Sequence, residues 1–327
     1  MPRALITTIP FGERDTTPLQ LLQAAAIDYT INPLGRKVTE RELAELIVDF
    51  DILIAGTEPV TEDVMAQAHK LRLISRVGVG LESVDLLAAQ RQGIQVCYTP
   101  DAPAPAVAEF TVGLMLALLR QVPLANAQMQ RGIWQRHFGR RLAACTVGII
   151  GTGRIGGRVA QHLQGFGPPR IMVNDSAPKS AVGSCYPLQW ASKEEIYREA
   201  DVITLHLPLT PITRNLIGRE QLQMMKPDAV VINTARGGII NEQELAAVMR
   251  AGHLGGAAID VFEREPYSGE LVGVERCLLT AHMGSMSVDC RTRMEIEATQ
   301  EAVRFVSGQP LLSPVPPEEY EVQRQTE

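Results

Sequence analysis

The chain has 327 residues, of which 45% are hydrophobic and 21% charged, and its formal net charge is -6. This length exceeds what one hydrophobic core usually spans, so we expect two domains. The composition excludes a disordered or fibrous protein. Because no block of lysine or arginine is present, we expect neither nucleic acid nor an anionic membrane as a partner, and a small-molecule ligand is favoured.

The cysteines and the N-terminus indicate a cytoplasmic protein. The five cysteines are scattered, without a CxxC pair, so we expect reduced thiols and no metal site. They are Cys97, Cys145, Cys185, Cys277 and Cys290. The first residues lack the apolar core and cleavage site of a signal peptide. The longest apolar stretch, 106–119, contains Glu109 and is shorter than the roughly 20 residues that span a bilayer.

Short apolar runs alternate with helical patterns in the first hundred residues. The helical pattern at 39–48 and that at 61–69 each begin with a threonine that can cap free backbone amides. Predicted strands cover 3–8, 28–32, 51–56, 71–78 and 94–99, with a third helix over 84–93. This alternation predicts a parallel sheet covered by helices on both faces.

Three prolines at 100–105 interrupt the pattern before a long helix begins. Further predicted strands, which form a second parallel sheet, cover 146–150, 170–174, 201–207, 229–235, 255–260 and 277–282. A final helix over 286–307 is long enough to return to the first domain. We therefore predict a discontinuous domain of residues 1–100 and 288–327 and a second domain of residues 101–287. The tail from Ser313 is rich in proline and glutamate, and we expect it to fray.

A glycine-rich turn indicates a dinucleotide site. The strand at 146–150 leads directly into GxGxxG at 151–156, which opens a helical pattern. Gly151 would make the tight turn, Gly153 would let the backbone approach a pyrophosphate, and Gly156 would allow close helix packing. The next strand ends in Asp175, about 20 residues downstream, where a carboxylate can accept hydrogen bonds from a ribose.

Asp175 also favours NAD over NADP. Its charge would repel the additional phosphate of NADP, and no arginine or lysine immediately follows it. Lys179 is the nearest basic residue downstream.

Three polar clusters follow predicted strands, at 232–238, 260–266 and 279–284. Since the crevice of an open parallel sheet lies beyond the carboxyl ends of its strands, Arg236, Glu265 and His282 can converge there. A guanidinium can bind the carboxylate and keto oxygen of a 2-oxo acid, and a histidine can give that oxygen a proton as hydride arrives at carbon. Glu265 would favour the imidazolium form and fix its orientation. Taken singly, each residue is also common in structural roles.

The order of these motifs resembles the D-isomer-specific 2-hydroxyacid dehydrogenases. The motifs are GxGxxG, the strand-end Asp175, NTARG, DVFEREP and AHMG, and the resemblance extends to 75–85, 106–109 and 207–210. It implies an α/β protein with two doubly wound parallel-sheet domains, a flavodoxin-like substrate domain and a Rossmann NAD-binding domain. It also implies a homodimer formed through the NAD-binding domain.

The resemblance assigns catalysis to Arg236, Glu265 and His282. It implies that backbone amides of Gly78, Val79 and Gly80 hold the substrate carboxylate, and that Asp260 faces the nicotinamide carboxamide. The residues that it implies for NAD binding are Gly151, Gly153, Arg154, Ile155, Gly156, Asp175, Leu207, Pro208, Thr234, Ala235, Asp260 and Gly284.

The substrate is left open. Residues 132–136 resemble the corresponding segment of 3-phosphoglycerate dehydrogenases, and Arg136 in this segment could contact a substrate phosphate. The chain as a whole resembles short forms of these enzymes without regulatory domains. Glu58, however, stands where vertebrate-type enzymes carry a phosphate-binding arginine. Glu82 and Ser83 replace the frequent Asp-Asn, and Pro103 replaces a frequent Asn. Alternatives are a glyoxylate or hydroxypyruvate reductase, another pathway-specific 2-hydroxyacid dehydrogenase, or an NAD(H)-sensing co-repressor of the same fold.

Overall fold

The computed structural model describes residues 1–167, 169–176 and 187–324, so Lys179 and Cys185 lie outside the described residues. The chain forms two compact units, one of Met1–Pro103 with Met286–Glu327 and one of Ala104–Ser285. The sequence prediction places the two crossing points at 100/101 and 287/288.

The first unit contains a five-stranded parallel sheet in the order β2-β1-β3-β4-β5, which is the flavodoxin-like order. Its strands are β1 (Arg3–Ile6), β2 (Asp28–Ile31), β3 (Ile52–Ala55), β4 (Leu73–Arg76) and β5 (Gln95–Tyr98), and its first helices are α1 (Thr17–Ala24), α2 (Glu40–Leu46), α3 (Glu62–Gln67) and α4 (Leu86–Arg91). Strands β3 and β4 are buried along their whole length, as a sheet covered on both faces requires. The sequence analysis missed α1, a short helix with only Pro18 and Leu22 buried.

The second unit contains a seven-stranded parallel sheet in the order β12-β11-β10-β9-β6-β7-β8. Its strands are β6 (Thr146–Ile150), β7 (Arg170–Asn174), β8 (Leu188–Trp190), β9 (Val202–Leu205), β10 (Val230–Asn233), β11 (Gly256–Ile259) and β12 (Cys277–Leu279). Its helices are α5 (Ala104–Leu119), α6 (Val122–Gln130), α7 (Arg154–Leu163), α8 (Lys193–Glu199), α9 (Arg219–Met224) and α10 (Glu242–Arg250). The doubly wound fold predicted for both units is confirmed. The edge strand β8, only three residues long and half exposed, was missed.

Two C-terminal helices, α11 (Val288–Val306) and α12 (Pro317–Arg324), belong to the first unit. The prediction that the tail from Ser313 frays is wrong for the described residues. The carbonyl of Ser313 accepts a hydrogen bond from Tyr98, and the amide of Val315 donates one to Val96, so the tail pairs with strand β5. Because these contacts are made by the backbone, the polar composition of the tail does not indicate them.

Helix α5 is strongly apolar, and Val107, Leu114 and Met115 on it are buried in the core of the second unit. Among the helices that the structure describes, none is by itself long and apolar enough to cross a membrane; α5 and α6 meet that test only together, as a pair bent by 63°. The cytoplasmic location stays a prediction.

Candidate active site

The glycine turn after β6 has the geometry that a diphosphate site needs. Gly151 has a φ of +96°, and a Cβ there would lie 2.3 Å from the carbonyl oxygen of His206. A Cβ at Gly156 would lie 1.9 Å from the carbonyl oxygen of Gly151, so close packing of α7 requires glycine there. At Gly153, the N-cap of α7, a Cβ would meet no atom within 4 Å. Open space beside the N-terminus of α7 fits the pyrophosphate of a dinucleotide.

His206 lies directly beneath this turn. Its Nε2 is 3.0 Å from the hydroxyl of Thr204, and its Nδ1 is buried without a hydrogen-bond partner. Burial lowers the pKa of His206 to about 3, so the ring is neutral at physiological pH. The residue therefore supports the turn by packing and adds no charge to it.

Asp175 follows β7 and contacts the same turn. Its Oδ2 accepts hydrogen bonds from the amide of Thr152 at 2.7 Å and from the Thr152 hydroxyl at 2.8 Å. Thr152, which sequence reasoning did not single out, fixes the carboxylate next to the glycine turn. A carboxylate held there fits a dinucleotide whose ribose carries free hydroxyls.

The other predicted cofactor residues lie on the same unit. Arg154 and Ile155 begin α7, and Leu207 and Pro208 follow β9. Thr234 is 5% exposed, and its hydroxyl lies 2.8 Å from that of Thr111. Ala235 is also buried.

Glu265 and His282 are joined directly. Nδ1 of His282 lies 2.9 Å from Oε2 and 3.1 Å from Oε1 of Glu265. Within the part of the chain that the structure describes, no residue hydrogen-bonds to Nε2 of His282. The side chain of His282 is 41% exposed, so this nitrogen can exchange a proton with a bound molecule.

Asp260 anchors the loop that carries His282. The buried carboxylate accepts hydrogen bonds from the hydroxyl of Thr280 at 2.6 Å, the amide of Met283 at 2.9 Å and the amide of Gly284 at 2.9 Å. His282 itself has a φ of +49°, and its amide donates to the carbonyl of Asp260 at 2.8 Å. The three bonds to the Asp260 carboxylate stabilise this left-handed backbone on both sides of the imidazole.

Arg236 follows β10, next to the strand that leads to Glu265. The side chain of Asn233 holds its turn, because Oδ1 accepts from the amide of Ala235 at 3.0 Å and Nδ2 donates to the carbonyl of Arg236 at 2.8 Å. A Cβ at Gly237 would lie 2.0 Å from the carbonyl carbon of Phe262. Arg236 is therefore held close to the loop of Glu265.

Three further contacts hold the loop of Glu265. The amide of Phe262 donates to Oε1 of Glu265 at 3.1 Å, and the rings of Phe262 and Tyr267 stack with centroids 4.1 Å apart. Glu242 accepts a hydrogen bond from the amide of Glu263 at 2.7 Å, and burial raises the pKa of Glu242. These contacts hold the loop, although its residues 263–266 are exposed.

The predicted carboxylate-binding residues lie in the first unit, after β4. The amide of Gly78 donates to the hydroxyl of Thr99 at 2.7 Å, and its predicted role in holding the substrate carboxylate stays a prediction. No described residue accepts a hydrogen bond from the amide of Val79, which is partly exposed, or from that of Gly80, which is buried. Thr99 was missed because its partner Gly78 lies in the loop after a different strand, 21 residues away in the chain.

Comparison with known proteins identifies relatives over most of the chain. The sequence pattern of the "D-isomer specific 2-hydroxyacid dehydrogenase, NAD binding domain" matches residues 112–284. The chain is 39% identical to a D-3-phosphoglycerate dehydrogenase of Methanocaldococcus jannaschii over 83% of this chain and 53% of that protein. It is 34% identical to a hydroxypyruvate reductase of Thermotoga maritima over 80% of this chain and 86% of that protein.

A crystal structure of a protein from Thermus thermophilus superposes with a TM-score of 0.88 at 33% identity, covering 96% of this chain and 100% of that one. The chain spans about half the length of the phosphoglycerate dehydrogenases that it matches. By contrast, it spans most of the length of the hydroxypyruvate reductase.

Proposed function

The chain belongs to the D-isomer specific 2-hydroxyacid dehydrogenase family, and on this premise we propose that it interconverts a D-2-hydroxy acid and its 2-oxo acid with NAD(H). The observation that carries the proposal is the His282–Glu265 pair, with Nε2 of the imidazole left available. This pair stands on the same unit as a glycine turn that fits a dinucleotide.

The three predicted catalytic residues, Arg236, Glu265 and His282, each have a distinct role in the proposed reaction. His282 gives a proton from Nε2 to the keto oxygen during reduction and takes it back during oxidation. Glu265 holds Nδ1 and balances the charge of the protonated ring. The Arg236 guanidinium donates hydrogen bonds to the substrate carboxylate and keto oxygen. When bound, NAD(H) supplies or accepts the hydride at carbon 2 of the substrate.

We assign NAD to the residues of the second unit. The α7 amides around Gly153 would hold the pyrophosphate and Asp175 the ribose hydroxyls. The amides of Val79 and Gly80 would hold the substrate carboxylate, and Gly78 would serve to shape that loop through Thr99. Asp260 would support the loop of His282 through the hydrogen bond that it accepts from Gly284. This role does not depend on whether Asp260 also contacts the nicotinamide.

A D-3-phosphoglycerate dehydrogenase activity is the first candidate, since relatives of that name cover most of the chain. Hydroxypyruvate or glyoxylate reduction is the second, and Glu58 favours it. Glu58 is 2% exposed, and its carboxylate accepts hydrogen bonds from the hydroxyl of Thr7 and the amide of Gly56. This carboxylate lies in a turn that runs beside the loop of Val79, because Val60 pairs with Val84. A carboxyl group there, in place of a basic side chain, offers no partner for a phosphate and disfavours a phosphorylated substrate.

Initial rates of NADH oxidation distinguish the candidates. The panel pairs hydroxypyruvate with its 3-phosphate and adds glyoxylate and pyruvate. The first candidate predicts a higher kcat/KM for the phosphorylated acid, and the second predicts a higher value without the phosphate. Tight NADH binding without turnover of any acid would favour the co-repressor class and contradict the enzyme.

We also propose a homodimer formed through the second unit. Helix α6 and the segment after it expose large apolar side chains, including Trp134 at 80% and Phe138 at 100%. Such a surface is typical of an interface. Light scattering of the wild-type protein at micromolar concentration should give twice the monomer mass. The Trp134→Glu protein should give the monomer mass. A monomeric wild-type protein would contradict the proposal.

A further inference from the structure

The loop that joins β4 to α4, residues 77–85, is tied to the last helix of the chain. Oε1 of Gln323 accepts a hydrogen bond from the amide of Leu86 at 2.8 Å, and Nε2 of Gln323 donates one to the carbonyl of Val84 at 2.7 Å. Leu86 begins α4, where a backbone amide has no partner within the helix. One side chain therefore fixes the C-terminal end of this loop and the start of α4.

The other end of the loop is tied to the same tail through strand β5. Ser313 and Val315 pair with Tyr98 and Val96, and the next residue, Thr99, exchanges two hydrogen bonds with Gly78. Its hydroxyl accepts from the Gly78 amide at 2.7 Å, and its own amide donates to the Gly78 carbonyl at 3.1 Å. The tail thus extends the edge of the sheet next to the residue that holds the loop.

The tail itself is anchored in the unit. The carboxylate of Glu301, which is 3% exposed on α11, accepts hydrogen bonds from the amides of Leu312 and Ser313, the latter at 2.6 Å. Tyr320 on α12 packs against the core that contains Val84 and Leu86. A segment held at both its start and its end can transmit rigidity to the loop that it contacts.

We propose that residues 312–324, which we call the C-terminal brace, position the loop of Val79 and Gly80 for the substrate carboxylate, with Gln323 as the positioning residue. This inference rests on the proposed function in that the loop is taken to bind the substrate. The brace makes no contact with a reacting atom in this account, so its effect should fall on substrate binding rather than on the chemical step.

The test compares Gln323→Ala with Gln323→Glu and with Glu321→Ala, an exposed neighbour on the same helix. Gln323→Glu keeps an acceptor for Leu86 but loses the donor to Val84. Backbone hydrogen exchange over residues 77–86 is measured in the full-length proteins by mass spectrometry, independently of activity. The same proteins are assayed for kcat and for KM toward the best 2-oxo acid of the panel.

We expect Gln323→Ala to raise exchange over 77–86 at least about fivefold and KM about three- to tenfold, because it removes both hydrogen bonds of this side chain and only part of that loss reaches the substrate. Gln323→Glu should have an intermediate effect, with kcat within twofold throughout and Glu321→Ala unchanged. If Gln323→Ala exchanged over 77–86 no faster than Glu321→Ala, the proposal of a brace would be overturned even if the enzyme is active. Faster exchange with an unchanged KM would overturn its role in substrate binding. Failure of the proposed function would appear instead as no turnover by the wild-type protein, with the exchange result still deciding whether the brace exists.

Discussion

Oε2 of Glu265 lies 2.9 Å from Nδ1 of His282, and this contact determines which ring nitrogen is available for chemistry. A carboxylate at Nδ1 fixes the ring orientation and stabilises a proton there. Nε2 is then the nitrogen that changes its protonation during the proposed reaction.

Replacing His282 should separate chemistry from cofactor binding. We expect His282→Asn to lower kcat by roughly 100- to 10,000-fold, the usual contribution of general acid–base catalysis. NADH affinity, measured by fluorescence titration, should stay within about twofold, because the glycine turn and Asp175 are untouched. His253→Asn makes the same change at a ring that contacts the carbonyl of Leu222, and it should leave kcat unchanged. Loss of NADH binding in His282→Asn would show that the roles are misassigned.

Cofactor preference should depend on the charge of Asp175. Wild-type kcat/KM should favour NAD over NADP by at least about 100-fold, because a carboxylate repels the additional phosphate. Asp175→Ser should reduce this ratio at least about tenfold. Thr152→Val removes one hydrogen bond to Asp175 but keeps its charge, so the ratio should persist. Equal efficiency of the wild-type protein with both cofactors would refute the assignment.

The sequence predicts those residues whose type is required by the local backbone conformation or packing. Gly151 and Gly156 are examples, since no side chain fits at either position. Strand ends likewise placed Arg236, Glu265 and His282 at one edge of the second sheet. These patterns are local in the sequence, so they can be recognised without knowledge of the tertiary structure.

The contacts that support the site could not be predicted in this way. Thr99 holds Gly78 from 21 residues away, and Gln323 holds Leu86 from 237 residues away. Neither residue stands in a recognisable pattern. Thr280 was more accessible to sequence reasoning, because it is a polar residue directly after a strand and two positions before His282. Its bond to Asp260 explains why a buried carboxylate is tolerated at the end of β11.

His206 should make the stability of the second unit depend on pH. Its pKa is lowered from 6.5 in the unfolded chain to about 3 by burial. Because the unfolded chain binds this proton more tightly, the contribution is complete above about pH 6.5 and is lost as the pH falls toward 3. Between pH 7.5 and 5, the free energy of unfolding should fall by about 1 to 2 kcal/mol more for the wild-type protein than for His206→Gln.

Urea unfolding followed by tryptophan fluorescence measures this difference, since both tryptophans, Trp134 and Trp190, lie in the second unit. Parallel pH dependences of the wild-type protein and His206→Gln would show that the ring is protonated as easily in the folded state as in the unfolded chain.

The described cysteines should be inert toward thiol reagents in the native protein. Burial raises the pKa of Cys97 and Cys277 to about 12 and that of Cys290 to about 11, and it also raises the pKa of Cys145. At pH 8 these groups are protonated, whereas the thiolate is the reactive form. In a Cys185→Ser protein, a disulfide-exchange reagent should label no thiol within minutes under native conditions and should label all four after denaturation. Rapid native labelling of one equivalent would contradict this.

The transfer of deuterium from NADH to the product tests the central claim most directly. The protein is incubated with NADH that carries deuterium at both C4 positions and with the best substrate among hydroxypyruvate, its 3-phosphate and pyruvate, each of which gives a chiral product. The 2-hydroxy acid is analysed by mass spectrometry and chiral chromatography. Direct hydride transfer predicts one deuterium bound to carbon 2 in a product of D configuration. A product of L configuration, or one without deuterium at carbon 2, would contradict the account.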